Sequence, residues 1–431
     1  MSYYSDGNVQ THYIDPSTYI EVTDNSAGRV SFELDGTKLA FLPNMRLLNI
    51  GCTSDALHVY NRLVGSYVMI DRIRLLDGDT ELSGLTNQQL YRGFLNQNAG
   101  NSANEAVDSK LSMTSLGWSV EGINRQLKRT EKVRQTGTTV AAQVLGFLDL
   151  RELFPILGQV SHLPTSVFKN LNIQITMSGK VSDQILYSTT APVNGVRPIL
   201  AVDVLENPAI VANMRKGLTS TRWLEVEHDR FFIPRSVAVP TAANNQLVVQ
   251  QTNVKINGFN NKHVERLLIV KELVDNSTTL NAGNQVGWGR YGSPACFREQ
   301  MQYRLNGRNV LPRNGIVGNN ERLAYLIDTY GDCSNYPGSN QYGLGAVGAG
   351  TAINQALFDA AEYVGKLDYN GIYLGDYIND LQLNYQRTNL QAGGLLDENT
   401  NVAMFAHVYA EVAKTLMIRK DGSYNIMYSQ N

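Results

Sequence analysis

Cysteine is scarce in this 431-residue chain, which contains only Cys52, Cys296 and Cys333 and no Cys-x-x-Cys pair. Such a sparse, odd set provides no disulfide framework and is typical of proteins made in a reducing compartment. Charge is also low, because 37 basic and 39 acidic residues make up 18% of the chain, below the roughly 25% of ordinary soluble proteins. A nearly neutral surface argues against broad binding of nucleic acid or anionic membranes and does little to resist self-association.

Long apolar runs are missing as well. No stretch of the sequence approaches the roughly 20 consecutive apolar residues that a membrane-spanning helix needs. Residues 1–15 are polar and lack the basic region and apolar core of a secretory signal. We therefore expect a soluble protein that is made inside the cell without a secretory signal.

Signatures of catalysis and of metal binding are absent too. The chain has no Gly-x-Ser-x-Gly and no phosphate-binding loop. Gly343, Gly345 and Gly348 match Gly-x-Gly-x-x-Gly, but a polar loop precedes them instead of the buried strand of a dinucleotide site. No metal-ligand spacing relates the six histidines, His12, His58, His162, His228, His263 and His407. The sequence predicts no enzyme, no catalytic residue, no cofactor and no metal site.

One acidic cluster resembles a calcium-binding loop only in part. Asp77, Asp79 and Glu81 lie close together, but Leu82 and Gln88 occupy the positions where such a loop needs Gly and Glu. Asp-Gly is instead a preferred turn dipeptide between two strands. The cluster therefore predicts a hairpin turn.

Two further groups of charged residues have ordinary structural interpretations. Glu225, Glu227 and Asp229 alternate along a strand pattern and predict its solvated face. The basic run 125–134 contains no interleaved aromatic residue, which argues against base stacking. It favours a solvated loop, with contact to packaged nucleic acid or to an acidic neighbouring subunit as the alternative.

Alternating apolar and polar residues, the period of a half-buried strand, dominate the chain. The pattern recurs at 30–36, 45–52, 67–76, 144–150, 168–177, 199–205, 223–234, 244–258, 264–274, 297–307, 377–385 and 401–413. Helical spacing is confined to the short segments 88–95, 104–109, 321–329 and 352–363. Many strands joined by loops rich in Gly, Asn and Pro predict an all-β protein built from sandwiches or jelly rolls.

A long internal repeat is the most informative pattern. Residues 67–95 and 297–327 each contain an alternating strand ending in Arg-Leu, a tight Gly turn, a short strand and a helix that begins near Asn. The aligned pairs are Arg74 with Arg304, Leu75 with Leu305, Gly78 with Gly307, Asn87 with Asn320 and Leu90 with Leu323. The spacing exceeds the roughly 20–50 residues of a solenoid unit. The repeat therefore predicts two tandem domains of one architecture.

The stretch 207–218 separates two runs of strands and is the expected domain boundary. Residues 1–215 would form an N-terminal arm and the first domain, and residues 216–431 the second domain and a C-terminal tail. Interfaces are enriched in tyrosine, so an arm docked on a partner is expected from Tyr3, Tyr4, Tyr13 and Tyr19.

Five stretches, at 146–179, 219–234, 264–276, 301–312 and 401–426, together carry a family resemblance. Their order and spacing resemble those of a double jelly-roll major capsid protein, the lineage of adenovirus hexons and of Polinton-like and adintovirus-like elements. The resemblance implies two tandem eight-stranded antiparallel jelly rolls with a few short helices in loops. It does not place segment 96–143, and its loops are short beside those of a hexon.

The resemblance further implies the major capsid protein of an icosahedral DNA virus or virus-like element, located in the virion. Homotrimers of pseudo-hexameric outline would meet neighbouring capsomers, penton proteins and minor capsid proteins. No specific small molecule is implied, and contact with the genome would be at most nonspecific. The alternative is a carbohydrate- or receptor-binding β-sandwich, since jelly rolls also occur in lectins. That function needs an aromatic groove, whereas Trp118, Trp223 and Trp288 are widely spaced.

Overall fold

The computed structural model describes residues 8–20, 28–54, 59–60, 67, 69–98, 142–177, 185–186, 193–195, 197–234, 248–273, 300–312, 315–317, 319–330, 370–389 and 403–428. Antiparallel strands dominate these residues. Within the same ranges, no helix has the length and apolar character needed to cross a membrane.

The first half of the chain forms two main sheets. Its strands are β1 (Val9–Ile14), β2 (Thr18–Ile20), β3 (Arg29–Glu33), β4 (Ala40–Phe41), β5 (Arg46–Ser54), β6 (Val59–Tyr60), β7 (Ile70–Asp77), β8 (Thr80–Thr86), β9 (Ala142–Asp149), β10 (Leu163–Pro164), β11 (Leu171–Met177), β12 (Ile185–Leu186), β13 (Val193–Gly195) and β14 (Ile199–Leu205). Sheet 1A has the order β1-β14-β5-β9 and is extended by β4, β10 and β13. Sheet 1B has the order β2-β3-β11-β7-β8, while β6 and β12 pair separately.

The second half repeats this arrangement. Its strands are β15 (Ser220–Ile233), β16 (Val248–Ile256), β17 (Lys262–Leu273), β18 (Gln300–Leu305), β19 (Arg308–Asn309), β20 (Ile316–Val317), β21 (Asn370–Ile378), β22 (Leu381–Asn389), β23 (Met404–Ile418) and β24 (Tyr424–Tyr428). Sheet 2A has the order β15-β23-β17-β21, with β24 beside β23. Sheet 2B has the order β16-β22-β18-β19, with β20 beside β18.

Both halves follow one rule of strand order. When the eight main strands of each half are numbered along the chain, the A sheets read first-eighth-third-sixth and the B sheets read second-seventh-fourth-fifth. This order, with two antiparallel sheets face to face, is that of a jelly roll. The predicted all-β fold of two tandem eight-stranded jelly rolls is therefore confirmed.

Three helices connect the described strands: α1 (Gln88–Asn98), α2 (Pro208–Gly217) and α3 (Asn319–Tyr330). Helices α1 and α3 confirm two predicted helical segments, whereas the predictions at 104–109 and 352–363 lie outside the described residues. Helix α2 was not predicted, although its start has a clear local signal. The Asn207 side chain accepts hydrogen bonds from the amides of Ala209 and Ile210 at 3.0 and 3.2 Å, and Pro208 occupies the first turn, as in a capped helix.

The hairpins of the sequence repeat occupy equivalent places, with one difference at the turn. Strands β7 and β18 are each the fourth main strand of their roll. Gly78 is the first residue of its two-residue turn, at φ 58°, whereas Asn306 and Gly307 together form the other turn, at φ 50° and 83°. Different primed turns need a positive φ at different positions, so the alignment of Gly78 with Gly307 is displaced by one residue.

Two predictions for individual segments are wrong. The expected strand 377–385 is interrupted at Asn379 and Asp380, where the chain passes from sheet 2A to sheet 2B. The expected N-terminal arm is, over residues 9–20, part of the first roll, because β1 pairs with β14 and β2 pairs with β3. Tyr3 and Tyr4 lie outside the described residues.

The cores of the two rolls differ in extent. In the second roll, Tyr303, Leu383 and Tyr385 lie in a core made by that roll alone. The core of the first roll continues into the second, where it includes Trp223 and Tyr409. The two rolls are consequently joined by packed apolar side chains.

Candidate functional site at the seam between the jelly rolls

Helix α1 and strand β8 of the first roll pack against sheet 2A, and we call this contact the seam. The polar as well as the apolar side chains of α1 are buried, at 8% exposure or less, for Gln88, Gln89, Leu90, Tyr91, Arg92 and Phe94. An ordinary surface helix buries one stripe and exposes the other face. These six residues point to all sides of the helix, so this part of α1 is enclosed by neighbours from both rolls.

Tyr409 on β23 is the aromatic centre of the seam. Its ring lies 5.3 Å from that of Tyr91 on α1 and 5.0 Å from that of His228 on β15. Its hydroxyl donates a hydrogen bond to the backbone carbonyl of Asn87 at 2.7 Å. Burial raises the pKa of Tyr409 well above its usual value, so the hydroxyl remains a donor across the physiological range.

A charged pair lies next to Tyr409. Arg266 on β17 donates to Glu411 on β23 at 2.8 Å and to the carbonyl of Thr329 on α3 at 3.1 Å, while the Tyr91 hydroxyl lies 3.5 Å from the same carboxylate. Burial raises the pKa of Glu411, and the guanidinium of Arg266 opposes that shift. The pair therefore links two strands of sheet 2A to helices from both rolls.

Glu225 was predicted on a solvated face, and that prediction is wrong. The side chain is 1% exposed, because the edge of β8 covers it. Its carboxylate accepts hydrogen bonds from the Ser83 hydroxyl at 2.9 Å, the Gly84 amide at 3.3 Å and the Trp223 indole at 2.8 Å. Burial raises its pKa to about 7, although Lys414 and these donors favour the charged form.

The other two residues of the predicted solvated face are also partnered. Glu227 is half-buried and bonds to Lys262 at 2.5 Å and to the Tyr428 hydroxyl at 2.9 Å. Burial raises its pKa, but Lys414 and Lys262 outweigh burial and lower the pKa overall. Asp229 accepts a hydrogen bond from the Gly258 amide at 3.1 Å.

Two histidines form a buried chain of hydrogen bonds on sheet 2A. His407 Nε2 lies 2.9 Å from Glu272 Oε2, and His407 Nδ1 lies 2.9 Å from His228 Nε2. Since a carboxylate only accepts, Nε2 of His407 donates to Glu272, and a second hydrogen bond joins His407 Nδ1 to His228 Nε2. Burial, with a smaller effect of His407, lowers the pKa of His228 to about 3. His407 is thus a buried, hydrogen-bonded side chain of sheet 2A.

The C-terminal hairpin of β23 and β24 reaches back to the first roll. The Tyr424 hydroxyl donates to Asp77 at 2.8 Å, and its ring lies 5.0 Å from that of Phe168. Asp77 also accepts from the Asn170 amide at 2.7 Å, and Glu81 pairs with Arg74 at 2.6 Å. The acidic cluster that resembled a calcium loop is thus part of a hairpin with internal partners.

Five of the motifs and residues weighed in the sequence lie beyond the part of the chain that the structure describes. They are the Gly-x-Gly-x-x-Gly match, the basic run 125–134, and His58, Trp118 and Trp288. Among the residues that are described, no three His, Cys, Asp or Glu side chains are placed to hold a metal ion.

The features expected of a sugar-binding sandwich do not come together in the described part of the chain. Trp223 is buried in the seam, with its indole bonded to Glu225. A shallow cavity of about 620 Å³ lies on the outer face of sheet 2B, and its described lining is mainly amide side chains: Asn253, Gln300, Gln302, Asn309, Gln382, Asn384 and Gln386. No aromatic side chain is among its lining residues. Because sugar sites stack aromatic faces on the ligand, the carbohydrate alternative is not favoured.

The raised pKa of Glu225 gives a testable pH dependence. Its pKa is about 7 in the folded chain and 4.5 ordinarily, so the folded state holds this proton more tightly. The contribution is fully present below pH 4.5 and is lost as pH rises towards 7. Glu225→Gln should remove roughly 2 kcal/mol of that dependence, measured by urea unfolding between pH 5 and 7.5. An unchanged slope would show that Glu225 does not titrate as its burial implies.

The chain is similar in fold to several solved capsid proteins. The mavirus major capsid protein matches with a TM-score of 0.57 and 8% identity, over 98% of this chain and 90% of that one. PBCV-1 VP54, fitted into a reconstruction of the virophage Sputnik, matches with a TM-score of 0.54 and 10% identity, over 98% and 97%. The Faustovirus major capsid protein matches with a TM-score of 0.53 and 8% identity, over 95% and 90%. No family model and no curated protein matches the sequence.

Proposed function

We propose that this chain is the major capsid protein of an icosahedral DNA virus or virus-like element, and that it acts by assembly and not by catalysis. The observation that carries the proposal is the duplicated jelly roll joined by a buried seam. Each chain thereby supplies two jelly rolls of similar outline, which we call wedges, in a fixed relative orientation. The solved proteins with the same fold are viral capsid proteins, which supports the same role here.

The seam supplies the rigidity that such a unit needs. Domains of one chain move relative to each other by default, unless their interface is large and hydrophobic. Here Trp223, Tyr409 and Leu416 belong to the same apolar cluster as the core of the first roll. The hydrogen bond that Glu225 accepts from Ser83 and the one that Tyr409 donates to Asn87 cross the same contact. The angle between the wedges is consequently set within the chain, before any partner binds.

The family resemblance implies a homotrimer, and the duplication fits that arrangement. Three chains with two wedges each give a trimer of six similar wedges. Such a trimer has only threefold symmetry but a nearly hexagonal outline, so it can occupy a sixfold position of a hexagonal lattice. The contacts between chains are head to tail and close after three copies. Obligate interfaces of this kind bury on the order of 2,000–5,000 Å². Contacts between neighbouring capsomers would be smaller and weaker, so that misplaced units can leave the growing shell.

The location, partners and domain limits are part of the same proposal. The chain would lie in the virion capsid, beside neighbouring capsomers, penton proteins and minor capsid proteins. Its charge balance of 37 basic to 39 acidic residues supports at most nonspecific contact with the genome. The domains would be residues 1–215 and 216–431, since helix α2 follows the last strand of the first roll and precedes the first strand of the second.

Native mass spectrometry of the purified full-length chain tests the proposal. We expect a species of three times the chain mass of 47.7 kDa that persists on dilution, because the interface of an obligate trimer is large. Negative-stain images of the same sample should show particles of hexagonal outline. A monomer that stays monomeric at micromolar concentration would contradict the proposed function.

A further inference from the structure

Helices α1 and α3 hold the same place in their jelly rolls but differ in burial. Each follows the fifth main strand of its roll and precedes the sixth. Whereas α1 is enclosed on all sides between Gln88 and Phe94, α3 buries one face and exposes a stripe. Leu326 and Tyr330 pack on Gly371 of β21, where an added Cβ would lie 2.7 Å from Leu326 Cδ1.

The exposed stripe of α3 consists of Ala324, Ile327 and Asp328, spaced i, i+3 and i+4 on one face of the helix. Ile327 is 44% exposed. The sequence repeat aligns Asn87 with Asn320, which places Phe94 of α1 against Ile327 of α3. Phe94 is buried and lies 4.9 Å from the Tyr330 ring. The position that is buried in the seam as Phe94 of α1 is therefore exposed to solvent as Ile327 of α3.

The outer faces of sheets 2A and 1A, on which such helices could pack, also differ in how far they are covered. Part of the outer face of sheet 2A, around Tyr409 and Glu225, is covered by α1 and β8. On sheet 1A, Leu47, Leu200 and Val202 point to the core, so the alternate residues point outward. Among those outward residues, Leu48 is half-buried and Tyr13 is 70% exposed. Helix α2 packs at one end of this face, near Leu205, and leaves the region of Tyr13 uncovered by any described element.

A charged pair recurs on the corresponding strands of the two sheets, directly opposite in the second roll and offset by two residues in the first. Arg266 on the third main strand of the second roll pairs with Glu411 on the eighth. In the first roll, Arg46 on the third strand pairs with Asp203 on the eighth at 3.3 Å. In the seam, the acid of this pair meets Tyr91 of α1. The Arg46 pair therefore marks where an equivalent helix would lie on sheet 1A.

We infer that α3 of one chain packs, through Ala324, Ile327 and Asp328, onto the outer face of sheet 1A of a second copy of this chain, around Tyr13, Leu48 and Arg46. This contact between two chains would have the same arrangement as the contact of α1 with sheet 2A within one chain. Asp328 meets Arg46, whose side chain is 34% exposed, so the surfaces are complementary in charge as well as in apolar area. The inference rests on the proposed trimer and identifies the surfaces that hold it together.

Charge substitutions on the two surfaces test the inference. In Ile327→Glu and in Tyr13→Glu, a carboxylate would be buried between chains, although both positions are exposed in the single chain. Each variant should fold normally by circular dichroism and associate at least about 30-fold more weakly than the unchanged chain, as for the loss of an interface hot spot. Native mass spectrometry over a dilution series measures this. The matched control is Met427→Glu on β24, at 40% exposure, which should leave the trimer intact.

The outcomes separate this inference from the proposed function. If the unchanged chain is a monomer, the proposed function fails. If the unchanged chain is a trimer, the proposed function stands. The assigned surfaces are then wrong if the Ile327 and Tyr13 variants remain trimers, or if Met427→Glu dissociates as readily as they do.

A cross-linking experiment tests the head-to-tail geometry directly. In chains whose three native cysteines are replaced by alanine, Ile327→Cys and Tyr13→Cys are introduced separately and treated with a short bis-maleimide. A mixture of the two variants, reassembled together, should give covalent dimers, and neither variant should do so alone. Dimers from one variant alone would show a symmetric contact and overturn the inference.

Discussion

Tyr409→Ala is expected to lower the free energy of unfolding by about 3–5 kcal/mol, the range for removing a buried aromatic side chain. Tyr409 is 1% exposed and packs between Tyr91 and His228. Alanine would leave a cavity in the seam and deprive the Asn87 carbonyl of its donor. Because the seam joins the two rolls, the variant should also unfold in two steps where the unchanged chain unfolds in one. Urea denaturation followed by circular dichroism measures both effects.

Tyr409→Phe is the matched control for this substitution. Phenylalanine retains the ring and its contacts but loses the hydrogen bond to Asn87, which costs about 0.5–1.5 kcal/mol. It should keep a single unfolding transition. If the phenylalanine and alanine variants lose equal stability, the seam depends on the hydroxyl and not on aromatic packing. If the alanine variant unfolds in one step, the two rolls are coupled by other contacts.

Local periodicity predicted most of the strands because one face of each sheet is buried. In β11, Leu171, Ile173, Ile175 and Met177 are buried while Gln174 is exposed. This alternation is visible in the sequence, since it depends only on the two-residue period of a strand. The same local information predicted helices α1 and α3, whose apolar residues recur at helical spacing.

The same periodicity could not show which polar face is covered by another domain. Glu225 has the spacing of a solvated residue, but its partner Ser83 lies 142 positions earlier in the chain. A contact over that distance has no local signature. A partial signal was available at Glu411, because Tyr409 and Ala413 on the same face of the strand are apolar, so an acid between them needs a buried partner. Its partner, Arg266, could not be identified from the sequence.

Segment 377–385 shows a second limit of periodicity. Ile378 and Leu381 are both fully buried, on opposite sides of the point where the chain changes sheets. The alternation of apolar and polar residues hardly changes at this point, because the inner faces of both sheets pack against the same core. A pattern that reports burial alone cannot distinguish one long strand from two strands in facing sheets.

Duplication preserved the strand order of the two rolls and changed their surfaces. The outer face of sheet 1B carries Arg72 and Arg74 with Glu81, whereas the outer face of sheet 2B carries the amide-lined cavity. Six wedges of one outline but two surface chemistries cannot form a true sixfold ring. In the proposed capsomer, the two kinds of wedge would alternate, and a neighbouring capsomer would meet a charged or an amide-rich face according to its position.

Arg266→Met is expected to cost about 3–5 kcal/mol, because it leaves the buried Glu411 carboxylate without its cation. The substitution also removes the donor to the Thr329 carbonyl and the guanidinium that lies 5.1 Å from the Tyr330 ring centre. Burial already raises the pKa of Glu411, and Arg266 is the main influence that lowers it. The loss should therefore be greater at pH 8 than at pH 5, because a lower pH favours protonation of the unpaired carboxylate.

The double variant Arg266→Met, Glu411→Gln separates the ion pair from packing. Glutamine removes the unpaired charge and can still accept a hydrogen bond from the Tyr91 hydroxyl. The double variant should therefore be more stable than Arg266→Met alone at pH 8, and its stability should vary less with pH. Urea unfolding of the unchanged chain, both single variants and the double variant gives the coupling energy. Additive losses, or a loss from Arg266→Met that is the same at pH 5 and pH 8, would mean that packing of the arginine stem stabilises the seam and that its charge does not.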